Sequence, residues 1–231
     1  MDKVVGVIGG LGPEATLDFY AKLLAATPAE RDQDHLRVVI DSNPKVPDRN
    51  RAVAGEGESP GPALASTARA LERAGAELLC MPCNTAHAFI ADVRGATTLP
   101  FVSIIEAALT EVRALRPPVQ RVGLLTADGG RRARVYENAL AGAGLDAVRL
   151  DDVDQVTLMQ LIYGVKAGRR GAAERAAVAA LARRLVDRGA QALIAGCTEV
   201  PLLMSAADTV VPFVDSTAAL ARAVVRAARG A

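Results

Sequence analysis

The chain has 231 residues, enough for one large domain or two small ones, and its hydrophobic share of 51% includes very few aromatic residues. Its 27 basic and 26 acidic residues leave a formal net charge of +1, which gives no electrostatic reason to expect nucleic acid or an anionic membrane as a partner. The apolar runs are too short to span a bilayer and no signal-peptide pattern follows Met1, so we expect a cytoplasmic protein.

Short β-branched runs alternate with longer helix-like segments along the whole chain. The predicted strands lie at 4–8, 36–40, 78–81, near Phe101, at 122–125, near Ala147, at 192–195 and at 210–214. The predicted helices lie at 14–25, 63–74, 86–94, 131–140, 153–165, 172–188 and from Thr217 onward, and the proline- and glycine-rich stretch 42–62 is predicted to be a long loop. Such alternation is typical of parallel sheets covered by helices, so we expect an α/β fold.

The second half of the sequence repeats the first. VGVI at 5–8 corresponds to VGLL at 122–125, and PFVS at 100–103 corresponds to PFVD at 212–215. Cys83 and Cys197 fall in register between these matches, 114 positions apart. We therefore expect an internal duplication: two pseudo-symmetric parallel-sheet α/β domains with the active site in the cleft between them. The predicted domains are residues 1–102 with the C-terminal helix 216–231, and residues 103–215.

Two of the three cysteines, Cys83 and Cys197, each follow a predicted strand. Ligands gather at the carboxyl ends of parallel strands, and cysteines in a cytoplasmic protein are more typical of buried, metal-binding or catalytic thiols than of disulfides. Each of the two also precedes a predicted helix, whose N-terminus is expected to lower the thiol pKa toward neutrality. Cys80 lies within a strand, between Leu79 and Met81, and is predicted to be a core residue.

Thiols on opposite sides of one ligand suit stereoinversion at an acidic carbon. One thiolate removes the Cα proton from one face, and the other thiol delivers a proton to the opposite face. The Cα proton of an amino acid is very weakly acidic, so hydrogen-bond donors around the substrate carboxylate are needed to stabilise the carbanion-like state. The paired cysteines therefore indicate a racemase as the leading functional hypothesis.

Five motifs extend this hypothesis over nearly the whole chain. They are IGGLGPEAT at 8–16, PDR at 47–49, PCNTAH at 82–87, IYGVKAG at 162–168 and GCTEVPLL at 196–203. With them the chain resembles the aspartate/glutamate racemase superfamily, and within it the aspartate racemase branch.

The resemblance implies racemisation of aspartate, or of a close acidic amino acid such as glutamate, by a homodimer that needs neither PLP nor another cofactor nor a metal. It implies that Cys83 and Cys197 are the acid/base pair and that Arg49 and Lys166 hold the side-chain carboxylate. Physical chemistry agrees, because a guanidinium fork matches a planar carboxylate. The remaining substrate-binding candidates lie beside the thiols or at strand ends: Asn84, Thr85, Thr126, Thr198, Glu199 and Gly10.

Several alternatives remain open at this point. The run Gly10–Ala15 fits a dinucleotide-binding turn, but Asp41 lies 29 residues beyond Gly12, later than the usual spacing of about 20. His87 either tunes the surroundings of Cys83 or packs locally, and the pair lacks two further ligands for zinc. Other functions to consider are a decarboxylase or cis–trans isomerase of a small dicarboxylate in the same superfamily, and a non-catalytic amino-acid binding protein.

Overall fold

Residues 2–230 are described by a computed structural model built on two parallel sheets. The strands in this range are β1 (Val5–Gly9), β2 (Val38–Ser42), β3 (Leu78–Cys80), β4 (Phe101–Val102), β5 (Arg121–Leu124), β6 (Asp146–Val148), β7 (Ala192–Ala195) and β8 (Phe213–Asp215). One sheet has the order β2-β1-β3-β4 and the other the order β6-β5-β7-β8. All pairings are parallel and the two orders correspond strand for strand, which confirms the predicted fold class.

Helices cover both sheets. They are α1 (Pro13–Ala26), α2 (Arg49–Ala54), α3 (Gly61–Arg73), α4 (Ile90–Ala96), α5 (Ile104–Ala114), α6 (Asp128–Arg132), α7 (Val135–Gly142), α8 (Asp152–Lys166), α9 (Ala172–Asp187) and α10 (Ser216–Arg229). Short 3₁₀ turns occupy Asp32–Asp34, Thr85–Phe89, Val200–Leu202 and Ala206–Asp208. Among residues 2–230, no helix combines the length and the apolar character that crossing a membrane requires.

The stretch 42–62 is not the continuous loop that the sequence predicts, because it contains α2. Asp48 begins this helix by accepting a hydrogen bond from the Arg51 N–H at 3.0 Å, and Gly55 ends it in the left-handed conformation at φ 76°. A helix of six residues is too short to show an apolar period among prolines and glycines. Its N-terminal residue is Arg49, so the correction bears directly on a predicted site residue.

Two other helix predictions need correction. No element is predicted between Phe101 and Pro117, yet α5 fills most of this interval, with the Ser103 hydroxyl accepting from the Glu106 N–H at 3.4 Å. The single helix predicted at 131–140 is two helices, α6 and α7. Arg134 separates them because its backbone adopts φ 54°, which interrupts the helical hydrogen bonds.

Smaller errors concern where elements start. The helix predicted at 86–94 opens with the 3₁₀ turn Thr85–Phe89 before α4 begins. The strand predicted from Val210 begins only at Phe213, and Val210 itself is exposed. Neither difference changes the order of the elements.

The duplication extends from topology to atomic packing. A Cβ placed on Gly6 of β1 would lie 2.7 Å from Leu79 Cδ2, and one placed on Gly123 of β5 would lie 2.6 Å from Leu193 Cδ2. The two leucines occupy equivalent positions, 114 residues apart. In each half, a glycine in the first strand thus makes room for a leucine of the neighbouring strand.

The last helix of each half packs on the other half. Helix α5 follows β4 of the first half but contacts α7 of the second, and α10 follows β8 of the second half but contacts α1 of the first. The two exchanged helices also contact each other. One of the apolar clusters lies between the sheets and has members from both halves: Val7, Phe19, Cys80, Ile104, Ala108, Leu124, Tyr136, Ile194, Leu220 and Val224.

The predicted domain boundaries at 102/103 and 215/216 stay a prediction, and the outermost residues of the two ranges, Met1 and Ala231, lie outside the described part of the chain. Helix α10 crosses from β8 to α1, so the chain does return to its first half at the end. The shared core means that the halves are held together by burial rather than by a linker alone.

Substituting alanine for the strand glycines tests the repeated packing. We expect Gly6→Ala and Gly123→Ala each to lower the free energy of unfolding by about 1–3 kcal/mol, because the added methyl group overpacks a leucine in each sheet. Gly95→Ala in α4 is the control, since a Cβ there meets nothing within 4 Å, and it should raise stability by about 0.5–1 kcal/mol. Urea unfolding measures all three, and two neutral strand variants would contradict the packing.

Candidate active site

Cys83 and Cys197 lie just beyond the carboxyl ends of β3 and β7, the equivalent strands of the two sheets. Both residues are buried, with 7% of their surface exposed in each case. They line one small cavity, and the cavity takes residues from both halves of the chain: Leu11, Arg49, Asn50, Cys83, Asn84, Thr85, Ala127, Ile162, Lys166, Cys197, Thr198 and Glu199.

Eight of the ten predicted site residues line this cavity, and Thr126 and Gly10 do not. Ala127 lines the cavity beside Thr126, whose carbonyl accepts a hydrogen bond from Gln155 Nε2 at 3.0 Å. Gly10 borders a neighbouring cavity, and its N–H donates to Thr16 Oγ1 at 2.9 Å. Its positive φ of 81° and its close approach to the Asn43 backbone explain the glycine by turn geometry.

Sequence reasoning did not single out the apolar walls of the cavity. Leu11 and Ile162 lie inside two of the five family motifs, but only polar, charged or glycine residues of these motifs were predicted to belong to the site. Asn50 also lines the cavity, and its Oδ1 accepts from the Gly129 N–H at 2.9 Å, which ties α2 to α6. The position of Leu11 and Ile162 inside these motifs was the one feature of the sequence that could have predicted them as lining residues.

Arg49 is held in place by backbone carbonyls. Its Nη1 donates to Val46 at 3.2 Å and to Pro47 at 3.1 Å, and its Nη2 donates to Leu11 at 3.1 Å. A guanidinium has five N–H donors, so Nε and one hydrogen of Nη2 remain for a ligand. A fixed arginine with two free donors suits a carboxylate.

Lys166, the last residue of α8, faces Glu199. Its Nζ lies 3.5 Å from Glu199 Oε1. Burial lowers the pKa of Lys166, but the negative charge of Glu199 and the nearby cysteine sulfurs outweigh burial, so that the pKa is raised overall. Lys166 is therefore a charged ammonium group at the edge of the cavity.

Cys197 is hydrogen-bonded to the carboxylate of Glu199. Its Sγ donates to Glu199 Oε2 at 3.0 Å, and Thr198 Oγ1 donates to that oxygen at 3.3 Å. Burial is the largest cause of a pKa raised well above the ordinary thiol value, and the Glu199 charge adds to it. The predicted lowering of the thiol pKa is wrong for Cys197, because only the three-residue turn Val200–Leu202 follows and its dipole is small.

His87 does not line the cavity; its ring connects the backbone of Cys83 to the backbone of Ile104. Its Nδ1 donates to the Cys83 carbonyl at 2.9 Å, and its Nε2 accepts from the Ile104 N–H at 3.3 Å, which fixes the neutral tautomer. Burial lowers the pKa of His87 to about 4. Within residues 2–230, no group of three or more His, Cys, Asp or Glu side chains is placed to hold a metal ion.

A buried hydrogen-bond network joins the two cysteine loops. Asn84 Oδ1 accepts from Tyr136 Oη at 2.6 Å, and Asn84 Nδ2 donates to Ser216 Oγ at 3.2 Å. Ser216 Oγ in turn donates to the Ala195 carbonyl at 2.6 Å. The residue next to Cys83 is thereby connected to the strand that leads to Cys197.

Cys80 takes no part in the site. It is buried in the central core as predicted, and burial raises the pKa of its thiol.

Comparison with known proteins places the chain in a family. The profile of the family described as Asp/Glu/Hydantoin racemase matches residues 8–224. The chain belongs to this racemase family. The broad specificity amino-acid racemase RacX of Bacillus subtilis is 24% identical over 226 residues, 96% of each chain.

Two solved structures are similar over almost their full length. The aspartate racemase of Picrophilus torridus is 31% identical, with 98% of this chain and 94% of that chain covered and a TM-score of 0.88. An aspartate racemase homologue of Pyrococcus horikoshii is 30% identical, with 99% and 100% covered and a TM-score of 0.79. Racemases are isomerases, and family membership assigns this chain to that enzyme class.

The depressed pKa of His87 predicts a pH-dependent stability. The unfolded histidine binds a proton at pH values below about 6.5, whereas the folded one stays neutral down to about pH 4. The contribution to stability is therefore complete above pH 6.5 and falls by about 3 kcal/mol as the pH decreases to 4.

Unfolding free energies of the His87→Gln variant, measured between pH 7 and pH 4, test this expectation. The variant should show a shallower loss than the unsubstituted protein. His35→Gln removes the other of the two histidines, so comparing the two variants separates their contributions. An identical pH dependence in His87→Gln and the unsubstituted protein would contradict the assignment.

Proposed function

We propose that this protein racemises an acidic amino acid, aspartate or glutamate, without PLP. Cys83 and Cys197 act as acid and base on opposite faces of the substrate Cα. The observation that supports this most strongly is that two cysteines, one from each half of the duplicated chain, line the same cavity. Ordinary buried cysteines would have no reason to share a polar cavity.

The chemistry requires two proton-transfer groups. The thiolate of one cysteine takes the Cα proton, and the thiol of the other gives its proton to the opposite face of the planar carbanion-like state. The roles are then reversed for the other enantiomer, so both enantiomers are substrates. A single base would more readily return the proton to the face from which it came.

The charge of the cavity favours an acidic substrate. Its charged lining residues are Arg49, Lys166 and Glu199; Lys166 pairs with Glu199, whereas Arg49 forms no ion pair within residues 2–230. The side-chain carboxylate of aspartate or glutamate would pair with the Arg49 guanidinium, whereas a neutral amino acid would leave this cation without an anionic partner. The relatives from Picrophilus torridus and Pyrococcus horikoshii are named for aspartate, and RacX for broad specificity.

Donors for both substrate carboxylates are available around the cavity. The two free N–H groups of Arg49 and the ammonium group of Lys166 suit the side-chain carboxylate. Asn84, Thr85 and Thr198 lie beside the sulfurs and suit the α-carboxylate, whose growing negative charge must be stabilised during proton removal.

Incubation with L-aspartate or L-glutamate in D₂O tests the reaction. We expect deuterium to enter Cα, followed by NMR, together with appearance of the D-enantiomer on a chiral column. Cys83→Ser and Cys197→Ser should each reduce racemisation by a factor of about 100 or more, because each removes one proton-transfer group. Cys80→Ala should retain activity, because Cys80 lies outside the cavity.

Two outcomes would contradict the proposal. Deuterium exchange without any D-product would show chemistry on one face only. Racemisation at the unsubstituted rate by either serine variant would show that the corresponding sulfur is not needed.

The role of Lys166 in substrate binding is tested by Lys166→Met. Loss of the ammonium group should lower kcat/KM for aspartate by a factor of about 10 to 100, the value of one charge-assisted hydrogen bond of about 1.5–3 kcal/mol. The matched control is Lys45→Met, an exposed lysine of the loop before α2 that does not line the cavity. Equal kcat/KM values for the two variants would remove Lys166 from the substrate site.

A further inference from the structure

Beside the sulfurs, the duplicated halves differ in charge at one position. The register that aligns Cys83 with Cys197 also aligns Asn84 with Thr198 and Thr85 with Glu199. The two cysteines have equal exposure, 7% each, and each follows the equivalent strand. A carboxylate stands beside one sulfur, and a hydroxyl stands at the matching position beside the other.

Glu199 is bound closely to Cys197. The Cys197 thiol donates to Oε2 at 3.0 Å, and a thiol can make this bond only while it keeps its proton. Glu199 is itself buried, with 4% of its surface exposed, so water does little to screen its charge. It is the only acidic side chain among the described residues that line the cavity.

The remaining charged and titratable groups near Cys197 do not offset this carboxylate. Lys166 on α8 would favour a thiolate, but its ammonium group lies 3.5 Å from the other Glu199 oxygen. Arg49 on α2 keeps its charge, but its Nη donors go to three backbone carbonyls and it forms no ion pair with Glu199. Tyr136 on α7 is a neutral phenol that donates to Asn84, and burial raises its pKa.

We propose that Glu199 is a positioning residue that keeps Cys197 protonated in the unliganded protein, so that the two chemically identical cysteines are not equivalent at rest. If the proposed racemase function holds, the resting site has Cys83 as base and Cys197 as acid. Turnover then moves the Cα proton to the Cys83 sulfur and the Cys197 proton to Cα. This leaves a Cys197 thiolate beside a carboxylate, the less stable of the two unliganded forms.

Alkylation by iodoacetamide tests this asymmetry without using racemase activity. Iodoacetamide is small and neutral, reacts with thiolates, and leaves each cysteine identifiable by peptide mass spectrometry. At pH 8 we expect Cys83 to be modified at least about ten times faster than Cys197, although both are equally exposed. Cys80 is fully buried and should stay unmodified while the protein is folded.

Variants at position 199 give the decisive comparison. Glu199→Gln keeps the side-chain size and removes the charge, so Cys197 should be alkylated about tenfold faster or more, corresponding to at least one unit in the thiol pKa. Its pH profile should shift to lower pH, and Glu199→Asp should restore the slow reaction. Glu137→Gln is the matched control, because Glu137 has the same 4% exposure but pairs with Arg149 outside the cavity.

Three results would overturn the inference. These are equal alkylation rates for Cys83 and Cys197 in the unsubstituted protein, an unchanged Cys197 rate in Glu199→Gln, and an equal acceleration of both cysteines in that variant. If Cys83 is alkylated faster than Cys197 but the protein does not racemise acidic amino acids, the inference about Glu199 stands and the proposed function is wrong. If the protein racemises acidic amino acids but both cysteines are alkylated at equal rates, the proposed function stands and the inference about Glu199 is wrong.

Discussion

The hydrogen bonds buried between the two halves hold the loop of Cys83 against the strand that leads to Cys197. Asn84 contacts Ser216 at the start of α10, and Ser216 contacts the carbonyl of Ala195 at the end of β7. Each bond contributes about 1 kcal/mol to stability, but an unsatisfied partner in this buried place would cost about 1–3 kcal/mol. The network therefore makes other relative positions of the two loops unfavourable, and the shared cavity depends on it. Apolar side chains of the exchanged helices α5 and α10 pack around this network and separate it from solvent.

The placement of the cysteines could be predicted from sequence because parallel strands collect their carboxyl ends at one edge of a sheet. The repeat of strand sequences in register then brought Cys83 and Cys197 to equivalent places in two sheets of the same order. Motif resemblance added Arg49 and Lys166, which local patterns alone treat as surface charges. The placement of the cysteines follows from chain order and strand period, which a sequence states directly, whereas the two cationic residues required the family resemblance.

Other features depend on tertiary contacts and were missed. Helix α2 is too short for an apolar period, and the break at Arg134 rests on one left-handed residue within an otherwise helical stretch. The raised pKa of Cys197 arises from burial and from the Glu199 side chain that turns back onto the sulfur. Helix-dipole reasoning could not anticipate that the following element is only a 3₁₀ turn.

Electrostatics connects the fold to the proposed chemistry. The ion pair between Lys166 and Glu199 lets a small cavity hold three charged residues and leaves the Arg49 guanidinium to meet an anionic ligand. A dicarboxylate substrate would complete the compensation, which connects substrate choice to the stability of the site itself. The duplication supplies two similar sulfurs, and the difference in charge between Thr85 and Glu199 gives them different surroundings.

A crystal structure of the Cys83→Ser variant with bound L-aspartate tests the central claim most directly. The account predicts that the Cα atom lies within about 3.5–4 Å of the Cys197 sulfur on one face and of the hydroxyl at position 83 on the other, close enough for proton transfer on both sides. An aspartate bound outside this cavity, or one whose Cα meets both groups on the same face, would contradict it.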